Sequence, residues 1–112
     1  MRETAILITG DGLGQGDAPL RHRLAANYFL TLAESGLHPQ ALLFYADGVK
    51  LCTQGSPCLE ALRRLADAGV PLILCRTCLD YYGLLDAVAV GDIGNMVQIV
   101  EAQQRAAKVI TL

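Results

Sequence analysis

Val70-Pro71-Leu72-Ile73-Leu74-Cys75-Arg76-Thr77-Cys78-Leu79-Asp80-Tyr81-Tyr82-Gly83 opens as a wholly apolar run and ends it at a cysteine, with a second cysteine three residues on. This short apolar run after Gly69 reads as a strand buried on both faces, from Pro71 to Leu74 or Cys75. A short helix is expected near Leu79 to Leu84. In an α/β protein, ligands are met at the carboxyl ends of parallel strands. A helix N-terminus there favours a thiolate, because unpaired N–H groups and the helix dipole face it. Cys75 is therefore the candidate reactive thiol, and the rest of the chain is its scaffold.

The flanks repeat the pattern. Thr4 to Thr9 is a β-branched, apolar run and reads as a first buried strand. Gly10 to Asp17 follows as a loop with four glycines in seven residues. Asp17 suits a helix cap and Pro19 a first turn, for a helix from Ala18 to Ser35. Leu20, Leu24, Tyr28 and Leu32 recur there every four residues, with Ala25 and Phe29 beside them, and Gly36 stops it. Gln40 to Ala46 is the second strand, and a long loop runs from Asp47 to Pro57. A helix from Pro57 to Ala68, capped by Ser56, leads to the third strand. Asp86 to Val90 reads as a fourth strand, Ile93 to Ala106 as a helix capped by Asp92, and Lys108 to Leu112 as a fifth strand. Alternating strands and helices imply a parallel sheet with helices on its faces.

The totals fit one domain spanning residues 1–112. At 53% hydrophobic and 18% charged, the chain is apolar for its size, as a sheet covered on both faces or a surface buried in an oligomer requires. A net charge of −2 gives no reason to expect nucleic acid or an anionic membrane as partner. No apolar run reaches the ~18–20 residues of a membrane span. Met1-Arg2-Glu3-Thr4 leads straight into a strand rather than a signal peptide, so a cytoplasmic location is expected. In a reducing compartment, four cysteines point to catalysis, redox chemistry or metal rather than disulfides.

Cys75 and Cys78 form C-x-x-C, the spacing of a redox dithiol, a metal half-site or two thiols on one helical turn. Free cysteine is also among the most buried residue types, so packing is the plainer reading. Arg76, between them, either stabilises a thiolate or persulfide anion or faces solvent. Cys52 and Cys58 are expected at the same end of the sheet, as small apolar residues or, with the other pair, as zinc ligands; their spacing is loose for zinc. No metal or cofactor is assigned. The glycine loop matches neither the dinucleotide nor the P-loop pattern, although an anion nest or a close approach of chains fits it. His22 and His38 read as surface or capping residues, with no serine or carboxylate placed to make a triad with either. Of Tyr81 and Tyr82, one is expected in the core or an interface and the other near the thiols.

Four segments together resemble the DsrE/DsrF-like family. They are the glycine turn from Thr9 to Gly16, Leu42 to Leu51, Leu74 to Leu84, and Val90-Gly91-Asp92-Ile93-Gly94-Asn95-Met96. Within that family, which includes sulfur-relay TusD proteins, the chain looks most like the DsrE-like domain of YedF-type proteins of selenium metabolism. The resemblance implies a three-layer α/β/α Rossmann-like fold with a five-stranded parallel sheet of order 4-3-2-1-5. It also implies a persulfide-carrying cysteine at the end of strand three, the position of Cys75, and homo- or hetero-oligomers, often trimers or hexamers. The implied function is a sulfurtransferase-like relay that carries sulfane sulfur, or selenium, on Cys75. Sulfur donor and acceptor proteins, such as TusA-like proteins or a cysteine desulfurase, would be its partners. Cys78 would attack the inner sulfur of the Cys75 persulfide, releasing sulfide and leaving a disulfide. The competing expectation is a non-catalytic oligomeric module. Its Gly10–Gly16 and Cys52–Cys58 loops would form a small-ligand pocket, and its thiols would be inert.

Overall fold

The computed structural model describes residues 3–112. Five strands form one all-parallel sheet: β1 (Thr4–Ile8), β2 (Ala41–Phe44), β3 (Leu72–Cys75), β4 (Asp92–Gly94) and β5 (Lys108–Thr111). Their order is β4-β3-β2-β1-β5, as the resemblance implies. Four α-helices connect them: α1 (Ala18–Ser35), α2 (Leu59–Asp67), α3 (Arg76–Tyr81) and α4 (Met96–Arg105). The first three crossovers all step the same way across the sheet. Right-handed connections therefore put α1, α2 and α3 on one face and send α4, which steps back to β5, to the other. α1 and α2 pack on each other, and α4 packs on β3.

β1 and β2 read as continuous apolar runs because both faces are covered. Ile6, Ile8, Leu42, Phe44 and Leu74 are buried, and the Phe29 ring on α1 meets Phe44 on β2 at 6.4 Å between centroids. Each such side chain contributes about 1.5–3 kcal/mol when withdrawn from water. The buried stripe of α1 is Ala25, Phe29 and Leu32. Leu20 and Leu24, expected in it, stay exposed. Asp17 precedes the helix in extended conformation without a side-chain cap bond, and Gly36 ends it at φ 73°.

Three expectations fail locally. The fourth strand is not Asp86–Val90. That segment starts as a 3-10 turn (Leu85–Ala87), and its backbone bonds elsewhere: Gln54 N–H to Ala87 O, and Ala89 and Val90 N–H both to Cys52 O. Thr53 and Val88 form an antiparallel bridge. With its ladder groups already taken, this segment cannot join the sheet, and Asp92–Gly94 does so instead, pairing with Ile73–Cys75. Consequently α4 starts at Met96, not Ile93, and its cap is Asn95, not Asp92. Asn95 Oδ1 accepts from Gln98 N–H, and Gln98 Oε1 accepts from Asn95 N–H. Finally, the expected loop after β2 is largely a 3-10 helix, Ala46–Cys52.

Candidate functional site

All strands are parallel, so the segments leaving β1, β2 and β3 emerge from one edge of the sheet, and they build the site. β3 ends at Cys75, which is also the N-cap of α3, so the helix begins at Arg76 instead of near Leu79. Cys78 is then the third helical residue. Side chains at the N-cap and third positions reach each other, as they do in a capping box. The C-x-x-C spacing thus places the two thiols as neighbours on the first turn of α3, where Cys75 raises the Cys78 thiol. Both are free. Cys75 is only 2% exposed, whereas Cys78 is half-buried and is the outer sulfur of the pair.

The 3-10 helix after β2 adds the third part. It lies over the end of β1, where Tyr45 N–H donates to Ile8 O. A Cβ at Gly48 would overlap the Ile8 carbonyl, so only glycine fits there. At its first residue, Ala46 takes φ 52°, a left-handed conformation that glycine prefers. That conformation accompanies a backbone N–H aimed at the thiols: Ala46 N–H donates to Cys78 Sγ, N···S 3.1 Å. Burial pushes the Cys78 thiol above its ordinary range, and the Cys75 thiol adds to the rise while the Ala46 N–H opposes it. At six residues α3 is too short to bring a full dipole to bear, so this N–H is the defined stabiliser of sulfur charge.

Beside Cys78, Tyr82, Asp47 and Lys50 form a polar cluster. The Tyr82 hydroxyl and then Lys50, whose Nζ is 3.1 Å from Asp47 Oδ1, hold the Asp47 carboxyl below its usual range. Asp47 in turn pushes the Tyr82 hydroxyl up to about 12. Lys50 Nζ also sits 4.3 Å from the centre of the Tyr82 ring. Tyr82, Lys50, Asp11, His22 and Ser56 line a cleft of ≈460 Å³. His22, read as a surface or capping residue, lies with Nε2 3.1 Å from Asp11 Oδ1, at ion-pair distance but without hydrogen-bond alignment. The sequence spacing hid this pair because Asp11 returns to α1 through the glycine loop, where Gly12 abuts Arg21. That loop is not an anion nest toward Arg21: Asp11 O and Gly16 O accept from the Arg21 guanidinium.

Arg76 is exposed and forms no side-chain hydrogen bond or ion pair with a described residue. Tyr81 is 84% exposed, and His38 lines a separate groove at the opposite edge of the sheet, near Pro39 and Pro71. Cys52 and Cys58 are fully buried core residues. Burial pushes both thiols up, Cys58 to about 11 despite help from the Ser56 hydroxyl. Among the described residues, no three His, Cys, Asp or Glu side chains gather as a metal site. A second cleft, ≈410 Å³ and lined by Gln40, Ile73, Gln98 and Arg105, lies at the amino edge of the sheet, away from the thiols. Among the described residues, no helix is long and apolar enough to cross a membrane.

The sequence pattern of the DsrE/DsrF-like family matches residues 3–112. No curated protein matches. The fold is similar to the crystal structure of the ychN protein from E. coli, at 28% identity and TM-score 0.72, with 100% of both chains covered. It is also similar to BT1422 from Bacteroides thetaiotaomicron, a conserved protein of unknown function (13% identity, TM-score 0.69, 98% of this chain and 95% of that one). A third likeness is to MTH1491 from Methanobacterium thermoautotrophicum, also of unknown function (19% identity, TM-score 0.69, 97% of each chain). These last two bear on the fold alone.

Proposed function

The chain belongs to the DsrE/DsrF-like family, which is linked to sulfur relay, and from that footing we propose that it carries sulfane sulfur as a persulfide at the Cys75–Cys78 pair. The observation that carries the reading is the pair itself: two free thiols on one helical turn at the carboxyl end of β3, one under the Ala46 N–H. A thiolate and a persulfide anion are both large, soft anions, and a backbone N–H aimed at the sulfur stabilises either. Cys75, shielded from solvent, is the resting place of the sulfur. Arg76, free at the surface beside it, would meet the acidic surface of a donor or acceptor protein. TusA-like proteins and cysteine desulfurases are the partner classes this chemistry fits, and selenium would travel by the same route. Assignment to the YedF-type branch, a cytoplasmic setting and a homotrimer or homohexamer belong to the same proposal. For the oligomer, support comes from α4. Met96, Val97 and Val100 are 45–65% exposed on one stripe of that helix.

The test is intact-mass spectrometry after incubation with glutathione persulfide. A gain of about 32 Da, one sulfur atom, is expected in wild type and in Cys52→Ser and Cys58→Ser. It is expected to vanish in the Cys75→Ser/Cys78→Ser double variant. A gain that survives in the double variant, or none in wild type, refutes the reading.

A second reading, a ligand-binding module with inert thiols, is favoured by one observation. The Asp11–His22 cleft lies between the glycine loop and residues 53–57, where that reading puts its pocket. Equal alkylation rates for Cys78 and the buried Cys58 would support it.

A further inference from the structure

We infer that Cys78, not Cys75, is the thiol that receives sulfur from outside, and that the sulfur then moves inward to Cys75. This rests on the sulfur-carrying function proposed above and assigns an order to its two thiols. A thiolate attacks a persulfide along the S–S axis, so the donor's whole body must stand in line beyond the attacked sulfur. Cys75, 2% exposed at the end of a central strand, offers no such line. Cys78, half-buried, is the more accessible member of the pair, on the first turn of α3. It also has the Ala46 N–H, 3.1 Å from its sulfur, to hold the thiolate before attack. Ala46 keeps a left-handed conformation, φ 52°, the one non-glycine residue with positive φ among those described. Strain of this kind persists where the surroundings enforce it, and here it coincides with an N–H on the reacting atom.

The two steps balance without an oxidant. In the first, Cys78 Sγ attacks the outer sulfur of the donor R–S–SH. The donor's S–S bond breaks, Cys78–S–SH forms, and RS⁻ leaves, taking the proton that Cys78 gave up. In the second, Cys75 Sγ, at the N-cap of the helix turn that carries Cys78, gives up its proton and attacks the outer sulfur of Cys78–S–SH. Cys75–S–SH forms, and Cys78 recovers its thiol. The carried sulfur thereby moves from the half-buried position to the buried one, where water and small thiols reach it less. Delivery is the reverse sequence.

The experiment is a quenched time course with glutathione persulfide, followed by alkylation, trypsin digestion and peptide mass analysis. Cleavage after Arg76 puts the two cysteines on different peptides. Wild type is expected to show the added sulfur first on the Cys78 peptide and later on the Cys75 peptide. Cys75→Ser should load Cys78 at the wild-type rate, whereas Cys78→Ser and Cys78→Ala should load Cys75 at least about tenfold more slowly. In untreated wild type, iodoacetamide should modify Cys78 well before Cys75, which needs no variant to fold. Loading of Cys75 at the wild-type rate in both Cys78 variants overturns the order while leaving sulfur carriage intact. Absence of sulfur on either peptide in wild type overturns both.

Discussion

Gly48→Ala tests how the backbone aims the Ala46 N–H. Gly48 lies in the 3-10 helix over the end of β1, and a Cβ there would overlap the carbonyl oxygen and carbon of Ile8. Those are backbone atoms of a central strand, bonded on both sides to β2 and β5, so they cannot swing away as a side-chain tip would. The 3-10 helix must lift instead. Overpacking of this kind costs about 1–3 kcal/mol, and a backbone obstacle puts it at the upper end. Alanine recovers up to about 1 kcal/mol through the smaller entropy of its unfolded chain. The net expectation is a loss of about 1–2 kcal/mol in urea unfolding followed by circular dichroism, or a Tm lower by roughly 5–10 °C. Lifting the helix also lengthens the 3.1 Å contact from Ala46 N–H to Cys78 Sγ. With its one opposing influence weakened, burial then raises the Cys78 thiol further, and alkylation of Cys78 at neutral pH should slow several-fold. Stability and alkylation within error of wild type would show that the 3-10 helix does not hold the N–H in place.

Alkaline pH should destabilise the fold. Burial raises the folded Cys58 thiol to about 11 from an ordinary 9.0, so its contribution is complete below pH 9 and falls as the unfolded chain alone ionises. Near pH 10.5 this amounts to roughly 2 kcal/mol, and Cys52 acts in the same direction. A urea midpoint that stays level from pH 8 to 10.5 would contradict the burial of both thiols. Asn95→Ala removes one half of the α4 capping box and should lower stability by about 1 kcal/mol in the same assay; an unchanged midpoint would mean the box is not formed in solution. Val97→Glu, on the exposed stripe of α4, should leave unfolding stability within about 0.5 kcal/mol of wild type. It should also shift light scattering toward monomer, and an unchanged assembly would remove α4 from the interface.

Local pattern was enough to define most of the fold. The apolar runs at β1, β2 and β3, and the glycines and prolines between them, read directly as buried strands and helix stops, because each element's type follows from residues adjacent in sequence. Cys75 and Cys78 were legible as a pair for the same reason: the spacing that names the motif is the spacing that joins an N-cap to its third residue. Asp92 reads as the cap of α4 because the Asp86–Val90 run reads as the strand before it; Asn95 and Gln98 form the cap instead. That run is no strand because its N–H and C=O groups are bonded to residues 52–54, a long-range competition that no window of sequence contains. Tertiary structure alone decided three further things. It buried Cys75 and left Cys78 outside, brought the Ala46 N–H to a sulfur 32 residues away, and set Asp11 against His22. Periodicity fixes which residues share a strand or a helix. Which atoms from different elements meet depends on how those elements pack, and the chemistry of this site lies in those meetings.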